Sequence, residues 1–299
     1  MKAKEFKGII PPALSSFDKN GNIYEKGIRE NIQFILPHIN GLYPVGTYGC
    51  GPCMDIDERK KVLEIILDEV NGKVPVVAHV GTADTKTTCA LAKHAKSAGA
   101  AGVGAISPYY SPNLPEEAMF KHFAALVDEV NEEEFPVFVY NNHNLSQNTI
   151  SPKLLNRLAE HGLRGCKDSS FDLVNYYLFQ DAVKDFEDFN VIVGTEAIFY
   201  AAFEAGATGC VCGMANIYPE ILQSLRQEFL KGNREKAMEL QRLILNLRAV
   251  TKAGPTVPIM HAILEMRGVD SGLSRSPYIE IDDQMKVKVK GILKEMKLL

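Results

Sequence analysis

The sequence predicts an α/β fold, a (β/α)8 TIM barrel with a helical C-terminal extension, and three observations support this prediction. Short β-branched or apolar runs alternate with longer amphipathic segments from near residue 8 to about residue 230. The runs recur at intervals that fit one strand, one helix and two loops, and no Pro/Gly/Ser-rich linker interrupts them. The glycine-rich phosphate-binding sequence typical of an open doubly wound sheet is absent, which favours closure.

The predicted elements follow one another in a regular order. The eight predicted strands lie within residues 8–14, 41–46, 74–80, 102–108, 136–142, 163–168, 190–195 and 207–214. Asp55 and Glu58 carry the capping chemistry of a helix start, and Ser151 and Tyr218 each precede a proline that suits the first helical position. After residue 232 only helical patterns remain. We therefore expect a catalytic barrel over residues 1–232 and a helical extension over 233–299, packed on its flank and able to supply an oligomer surface.

Composition limits the classes of partner. The 299 residues are 46% hydrophobic and 23% charged, and the net charge is −4. This charge offers no general attraction to nucleic acid or to an anionic membrane. No apolar run approaches the roughly 20 residues of a membrane span, and the first residues lack the apolar core of a signal peptide, so a cytoplasmic protein is expected. The six cysteines are expected to be thiols, mostly in the core.

Lys167 ends the sixth predicted strand and is the main candidate for chemistry. Side chains alternate across a strand, so the small apolar Cys166 should face the helices while Lys167 faces the barrel interior. A poorly hydrated amine loses affinity for its proton and can condense with a ketone to give a Schiff base. A solvated lysine at a strand end is the alternative, and the residues at the remaining strand ends must decide between the two.

The remaining strand ends supply suitable partners for an amine nucleophile. In such barrels the chemistry lies at the C-terminal ends of the strands, where this chain gathers phenols, a threonine hydroxyl, a carboxylate and glycines. Lys167 would attack the ketone of pyruvate, and Tyr140 would shuttle protons with the help of Thr47 or the pyruvate carboxylate. The loop at residues 46–49 can direct backbone N–H groups at that carboxylate.

This set of residues resembles the pyruvate-dependent class I aldolase family, which includes dihydrodipicolinate synthase, N-acetylneuraminate lyase and the 2-keto-3-deoxygluconate aldolases. The family's glycine-Thr/Ser-Thr-glycine loop falls on residues 46–49, its Tyr-Asn element on Tyr140-Asn141 and its Schiff-base lysine on Lys167. Its Pro-Tyr-Tyr element falls on residues 108–110. The resemblance implies that Tyr110 is catalytic and reaches a neighbouring subunit's site, as in some members. It also implies that pyruvate and an aldehyde are the partners, that no cofactor is needed, and that the chain forms a homo-oligomer, usually a tetramer.

Departures from the family pattern bear on the substrate. Tyr48 replaces the second hydroxyl residue of the loop, Cys50 replaces a common glutamate, and Asn142-His143 stands where a proline is expected. Leu145 occupies the position of the arginine that binds the second substrate in dihydrodipicolinate synthases, whereas Glu196 after Gly194 resembles the sugar-acid branches. We therefore expect cleavage of N-acetylneuraminate or a 2-keto-3-deoxy sugar acid, which rank level. The residues expected to bind substrate are Tyr48, Gly49, His143, Gly194, Glu196 and Gly213.

The sequence leaves several rival functions open. Cys50-Gly51-Pro52-Cys53 is the thioredoxin dithiol sequence, and together with Cys210 and Cys212 it could bind a metal, although we predict neither a redox role nor a metal. A dehydratase acting through the same iminium is a second rival, and a condensation of the dihydrodipicolinate synthase type is a third. A keto-acid-binding sensor without turnover is the rival that is not an enzyme, and an intact Lys167 with Tyr140 argues against it.

Overall fold

The computed structural model describes residues 1–130 and 134–299, and it contains a parallel sheet of seven strands in the order β1-β7-β6-β5-β4-β3-β2. The strands are β1 (Gly8–Ile10), β2 (Val77–His79), β3 (Gly102–Ile106), β4 (Val137–Asn141), β5 (Gly165–Asp168), β6 (Asn190–Val193) and β7 (Gly209–Val211). The α-helices are α1 (Glu25–Ile35), α2 (Ile56–Val70), α3 (Thr85–Ser97), α4 (Glu116–Val130), α5 (His143–Ser146), α6 (Pro152–Glu160), α7 (Leu173–Ala182), α8 (Phe199–Glu204), α9 (Pro219–Leu230), α10 (Arg234–Thr251), α11 (Thr256–Met266) and α12 (Asp283–Glu295).

Residues 40–45, here called the closing segment, fill the gap between β1 and β2. On one side the N–H groups of Asn40 and Tyr43 donate to the carbonyls of Ile9 and Pro11, at 2.8 and 3.0 Å. On the other side the N–H of Leu42 donates to Pro75 O at 2.9 Å, and the N–H groups of Val77 and His79 donate to Leu42 O and Pro44 O at 2.9 and 3.0 Å. The sheet is therefore closed by hydrogen bonds, which confirms the predicted (β/α)8 barrel.

The closing segment differs from the strand predicted at residues 41–46. It forms a single parallel bridge, Leu42 to Val76, within the described part of the chain. Pro44 lies inside the segment and Pro11 and Pro75 face it, and a proline has no N–H to donate to a ladder. This shortage of donors explains why the eighth strand is reduced to isolated bonds.

Side chains of the strands separate into two cores, as alternation requires. One core lies between the sheet and the helices and contains Cys166, Val139 and Val193. The other is a small cluster inside the barrel, here called the inner cluster, formed by Ala3, Phe6, Ile10, Tyr43, Val77, Phe138, Ile192 and Val211. The barrel is thus filled by side chains rather than open along its axis.

The helix starts predicted from capping residues are confirmed. Glu58 N–H donates to Asp55 Oδ1 at 2.8 Å and Asp55 N–H donates to Glu58 Oε2 at 3.0 Å, which is a complete capping box at the start of α2. Pro152 and Pro219 occupy the first turns of α6 and α9. A cap of this kind contributes about 1 kcal/mol to stability.

Helices α10, α11 and α12 follow the barrel, and the described residues contain no strand after β7. The amide of Gln241 fixes α10 to the chain that follows β6. Its Nε2 donates to Glu196 O at 2.9 Å and its Oε1 accepts from Tyr200 N–H at 2.8 Å. Because Gln241 is buried, these bonds are shielded from water and determine where α10 lies on the barrel rim. No helix in the described ranges is long and apolar enough to cross a membrane.

Candidate active site

Lys167 lies inside the barrel, beside the C-terminal end of β4. The β4–β5 register pairs Tyr140 with Lys167, and the side chain of Lys167 is only 5% exposed. Cys166, one residue earlier, is buried in the core between sheet and helices. The alternation expected from the sequence therefore places the lysine on the interior face, and burial is the main cause that lowers the pKa of its amine.

Two aromatic rings contact the Lys167 amine. Its Nζ lies 3.6 Å from the ring centroid of Tyr140 and 4.6 Å from that of Tyr43. Tyr140 is itself 5% exposed. Because both rings are buried, the amine is held against aromatic faces at the floor of the cavity.

Tyr140 has the surroundings of a phenol that can release its proton. Burial raises its pKa. The positive charge of Lys167 and the hydrogen bond from Asn142, with contributions from Ser169 and Thr47, lower the pKa by more than burial raises it, so the net pKa lies below the usual value of a tyrosine. The Asn142 bond is direct, with Nδ2 donating to Tyr140 Oη at 2.8 Å.

A carboxylate behind the site fixes the ends of β4 and β5. Asp168 is buried, and its Oδ1 accepts from Asn141 Nδ2 at 2.7 Å while its Oδ2 accepts from Ser170 Oγ at 2.7 Å. Burial raises the pKa of this carboxyl, although the hydrogen bonds oppose the change. Since Asp168 and Asn141 each follow a site residue, these bonds hold Lys167 opposite Tyr140.

The loop at residues 46–49 is a tight turn next to these side chains. Gly51 N–H donates to Gly46 O at 2.9 Å, and Cys50 N–H donates to Thr47 O at 3.2 Å. Thr47 and Tyr48 line the cavity above Lys167. Gly49 does not line it, and a Cβ there would lie 2.9 Å from Ala13 O, so this glycine permits close packing of the loop on the chain after β1.

The glycines predicted after β6 and β7 both line the cavity. A side chain on Gly194 would overlap the hydroxyl of Ser169, and one on Gly213 would overlap the ring of Tyr48. Both positions therefore require glycine for packing. Tyr48 rests against Gly213, and burial raises the pKa of its phenol above the usual value, so Tyr48 is a neutral hydrogen-bonding group at the cavity wall.

Glu196 also lines the cavity, but its carboxylate is already paired. Its Oε1 lies 3.3 Å from Arg248 Nε, and the side chain is 7% exposed. The guanidinium of Arg248 stands 5.1 Å above the ring of Phe171 at the cavity mouth. The substrate would therefore meet an ion pair rather than a free carboxylate.

The structure leaves two more of the predicted residues outside the cavity. His143 is exposed and its Nδ1 lies 2.9 Å from Thr149 Oγ1, whereas its neighbours Asn142 and Asn144 line the cavity. Tyr110 is 95% exposed, and its φ of 78° lies in a region that non-glycine residues seldom adopt. Neither contacts Lys167 within this single chain.

Some cavity residues could not be found by reading strand ends. Arg248 comes from α10, Lys252 directly follows α10, and Thr256 begins α11; Lys252 Nζ donates to Thr256 Oγ1 at 3.2 Å. Burial and the neighbouring Arg248 lower the pKa of Lys252. A helical pattern in the sequence covers Arg248, but it does not show where that helix docks, and Lys252 and Thr256 lie at the junction of two helices.

The complete cavity has a volume of about 300 Å³ and opens at the C-terminal ends of the strands. Its floor holds the amine and the phenol, one wall is the 46–49 loop, and the opposite wall carries the Glu196–Arg248 pair. Such a volume is at the lower end of the range for small-molecule sites. The arrangement can bind a small polar molecule with its reactive carbon over Lys167.

The thiols of the Cys50-Gly51-Pro52-Cys53 sequence lack the activation of a redox site. Burial raises the pKa of Cys50 to about 11 and also raises that of Cys53. A catalytic dithiol needs the opposite change, because the thiolate is the nucleophile. Within residues 1–130 and 134–299, no three His, Cys, Asp or Glu side chains form a group that could hold a metal ion.

A buried amine beside a phenol at the C-terminal ends of the strands of a (β/α)8 barrel is the arrangement that Schiff-base chemistry of the class I aldolase type requires. The model of the dihydrodipicolinate synthetase family matches residues 5–296. This chain belongs to that family, and the protein is a pyruvate-dependent lyase of the class I aldolase type.

Individual relatives span the same length. An uncharacterized DapA-like lyase of Halobacterium salinarum is 33% identical over 98% of this chain and 94% of its own. The 4-hydroxy-tetrahydrodipicolinate synthase of Methanopyrus kandleri is 31% identical over 99% of this chain and 98% of its own. The structure of YagE from E. coli K12, in complex with pyruvate, superimposes with a TM-score of 0.93 at 24% identity, covering 98% of this chain and 99% of that one.

Proposed function

We propose that the protein cleaves a 2-keto-3-deoxy sugar acid reversibly into pyruvate and an aldehyde through a Schiff base on Lys167. The observation that carries the proposal is the contact between the Lys167 amine and the Tyr140 ring at 3.6 Å in a buried site. Burial favours the neutral amine, which is the nucleophilic form, and a phenol of lowered pKa can exchange protons beside it.

The reaction begins with attack of the neutral Lys167 amine on the ketone carbon of the substrate. The carbinolamine loses water and becomes an iminium, with Tyr140 carrying the proton to the departing hydroxyl. Tyr140, as phenolate, then accepts the proton of the substrate hydroxyl as the carbon–carbon bond breaks. The aldehyde leaves, the electron pair enters an enamine, and protonation followed by water attack releases pyruvate and the free amine.

The 46–49 loop is the proposed site for the substrate carboxylate. Thr47 supplies a hydroxyl and Tyr48 a neutral phenol, and both line the cavity next to Lys167. Backbone N–H groups of a tight turn suit a carboxylate because they donate without needing a counter-ion. Gly49 contributes through the packing of the turn, and contact between His143 and substrate stays a prediction.

Polar groups around the cavity mouth support a hydroxylated substrate. Asn144, Lys252 and Thr256 line it together with the Glu196–Arg248 pair. These groups can exchange hydrogen bonds with a chain of hydroxyls. The volume of about 300 Å³ favours a short sugar acid over the longer N-acetylneuraminate, which the sequence ranks level with it.

Arg248 supports a second candidate, condensation of pyruvate with an acidic aldehyde. The sequence disfavours this reaction because Leu145 replaces an arginine, and Leu145 does line the cavity. Arg248 nevertheless places a guanidinium in the same cavity from α10. The name of the Methanopyrus kandleri relative, 4-hydroxy-tetrahydrodipicolinate synthase, agrees with such a reaction.

Tyr110 and the oligomer belong to the same proposal. An almost fully exposed tyrosine with a strained backbone has no role in one isolated chain. We propose that it completes the proton path of a neighbouring subunit's site in a homotetramer.

Borohydride reduction in the presence of pyruvate tests the Schiff base. Peptide mass mapping is expected to find the reduced adduct on Lys167, with the remaining lysines of the same digest as internal controls. The Lys167→Arg variant should give no adduct. An unmodified Lys167 in folded protein would overturn the proposal.

Product analysis separates the candidate reactions. Incubation with a 2-keto-3-deoxy sugar acid should release pyruvate and an aldehyde. A dehydrated keto acid as the product would identify a dehydratase instead. Consumption of pyruvate only with a carboxylated aldehyde would favour the condensation.

A further inference from the structure

The proposed mechanism leaves the second ring that contacts Lys167 without a role. The centroid of the Tyr43 ring lies 4.6 Å from Lys167 Nζ, and the Tyr43 and Tyr140 rings meet edge to face at 6.4 Å and 80°. Tyr43 comes from the closing segment and is 1% exposed. The amine is therefore held by two rings on different barrel elements.

The charge on this nitrogen has no carboxylate partner. Among the residues that the structure describes, Lys167 forms no salt bridge with Asp or Glu, and Asp168 is engaged by Asn141 and Ser170. The titratable groups that face the amine are Tyr43 from the closing segment, Tyr140 from β4 and His79 from β2. Cys210 from β7 and Cys212 directly after β7 act on it electrostatically from the core between sheet and helices. Burial keeps His79 neutral by lowering its pKa, and it raises the pKa of the Cys210 thiol.

A buried cation without a carboxylate partner is costly, and the face of an aromatic ring is one of the few neutral groups that attract it. We propose that the Tyr43 ring stabilises the positive charge on the Lys167 nitrogen, first in the ammonium and then in the protonated iminium. The iminium part rests on the proposed function, whereas the ammonium part concerns the free protein. Tyr140 also attracts this charge, but it alternates between phenol and phenolate during the proposed cycle, so its attraction varies, whereas the Tyr43 ring stays neutral throughout.

The surroundings of Tyr43 fix the ring and not its hydroxyl. The His79 ring lies 5.9 Å from it, and His79 is held by Ile106 N–H, which donates to Nε2 at 3.3 Å, and by Arg59 Nη2, which donates to the His79 carbonyl at 3.0 Å. Tyr43 Oη is buried and has no hydrogen-bond partner among the residues that the structure describes.

Space for the hydroxyl comes from Gly104, where a side chain would overlap Tyr43 Oη. An unpartnered buried hydroxyl adds nothing to stability. The part of Tyr43 that can act on Lys167 is therefore the ring face, which a phenylalanine would preserve.

Titration of Lys167 in the substrate-free protein tests the proposal directly. Reductive methylation with formaldehyde and cyanoborohydride at a series of pH values, followed by peptide mass mapping, gives the pH midpoint at which Lys167 becomes reactive. Tyr43→Phe should leave this midpoint unchanged. Tyr43→Leu should move it down by roughly one unit, because the ammonium loses a ring face.

Two further variants keep the result interpretable. Phe138→Leu removes a ring from the same inner cluster without touching Lys167 and should not move the midpoint. Tyr43→Met, which retains volume without a ring, replaces the leucine variant if that chain does not fold, and the same downward shift is expected.

An unchanged midpoint in Tyr43→Leu and Tyr43→Met would overturn the proposal. A shift in Phe138→Leu or in Tyr43→Phe as large as that in Tyr43→Leu would overturn it too. The measurement uses no pyruvate, so it is independent of the borohydride experiment. Failure of pyruvate trapping would overturn the proposed function and the iminium part. A shifted methylation midpoint would still support the stabilisation of the ammonium.

Discussion

Glu196 Oε1 and Arg248 Nε lie 3.3 Å apart and join the chain after β6 to the last turn of α10. The carboxylate is nearly buried at 7% exposure, whereas the guanidinium is 26% exposed. The pair forms one wall of the cavity and ties a C-terminal helix to the catalytic rim. Glu196, which the sequence predicts to bind substrate, is thus half of an ion pair.

Removal of Arg248 should weaken both the fold and substrate binding. Arg248→Gln leaves the carboxylate of Glu196 buried without its cation, so we expect the free energy of unfolding to fall by about 1–3 kcal/mol and KM to rise. Urea unfolding and steady-state kinetics measure the two effects. The double variant Glu196→Gln/Arg248→Gln should recover part of the lost stability but not the KM, and equal stability of the two variants would argue against the ion pair.

The hydrogen bond from Asn142 to Tyr140 predicts a change in pH dependence. It stabilises the phenolate and so helps to lower the pKa of Tyr140. Asn142→Ala removes the donor, the pKa of Tyr140 rises, and the acid limb of the kcat/KM profile should move to higher pH by up to about one unit.

Two variants serve as references for this shift. Tyr140→Phe should reduce kcat by about 10²- to 10⁴-fold, the usual contribution of a proton-transfer group. Asn144→Ala removes a cavity amide that makes no described bond to Tyr140, and it should leave the position of the limb unchanged. The interpretation fails if Asn142→Ala and Asn144→Ala give the same profile.

If Tyr110 acts in a neighbouring subunit's site, oligomers that combine two inactive variants should recover activity. Lys167→Ala has lost its amine but keeps Tyr110, and Tyr110→Phe has the reverse combination, so each variant alone should be nearly inactive. After unfolding and refolding together, a Tyr110→Phe subunit can receive the phenol of a Lys167→Ala neighbour. We expect up to about a quarter of the sites in a random mixture to be restored.

The assay compares the mixture with each variant refolded alone. Activity no greater than the sum of the separate samples, despite mixed oligomers in native mass spectra, would show that Tyr110 does not act across subunits.

The burial of His261 leads us to expect a loss of stability in mild acid. It is buried, its Nδ1 lies 2.7 Å from Ser271 Oγ, and burial lowers its pKa from 6.5 to about 4. Between pH 6.5 and 4 the imidazole is therefore protonated in the unfolded chain but neutral in the folded chain. The free energy of unfolding that this group contributes above pH 6.5 is lost as the pH falls to 4. The size of this loss is about 3 kcal/mol.

Urea unfolding at several pH values checks the expectation. His261→Asn should flatten the dependence of the unfolding free energy between pH 6.5 and 4, although His122, whose pKa is also lowered to about 4, retains part of it. The exposed His143→Asn is the control and should leave the slope as it is. An unaltered slope in His261→Asn would assign the acid sensitivity to different groups.

The floor of the site can be predicted from the sequence because strands follow a period of two. That period places Lys167 opposite to Cys166, and the order of the strand ends brings Tyr140 beside Lys167. The same pattern predicts an ordinary strand for the closing segment, since an apolar run carries no information about how many hydrogen-bond donors its prolines remove.

The walls of the site are less predictable. A helical pattern shows that Arg248 lies on a helix that ends just before Lys252, but it does not tell which surface that helix meets. His143 and Asn142 are adjacent, and only the turn at the start of α5 determines that Asn142 faces the cavity while His143 faces outward. The ion pair of Glu196 forms only because α10 docks beside the chain that follows β6. The sequence does not show that docking, so the ion pair could not be predicted from it.

Gln241 and Arg248 show that α10 provides a wall to a cavity whose reactive groups belong to the barrel. The residues at the cavity floor and the residues of this cavity wall therefore lie in segments that are far apart in the sequence. If the proposed function holds, we expect substitutions along one side of α10 to alter which substrate is accepted without changing the surroundings of Lys167. Because the cavity wall and the reactive groups belong to separate segments, substrate range can change during evolution within one fold. Helix α10 is therefore the first place to introduce substitutions that alter selectivity.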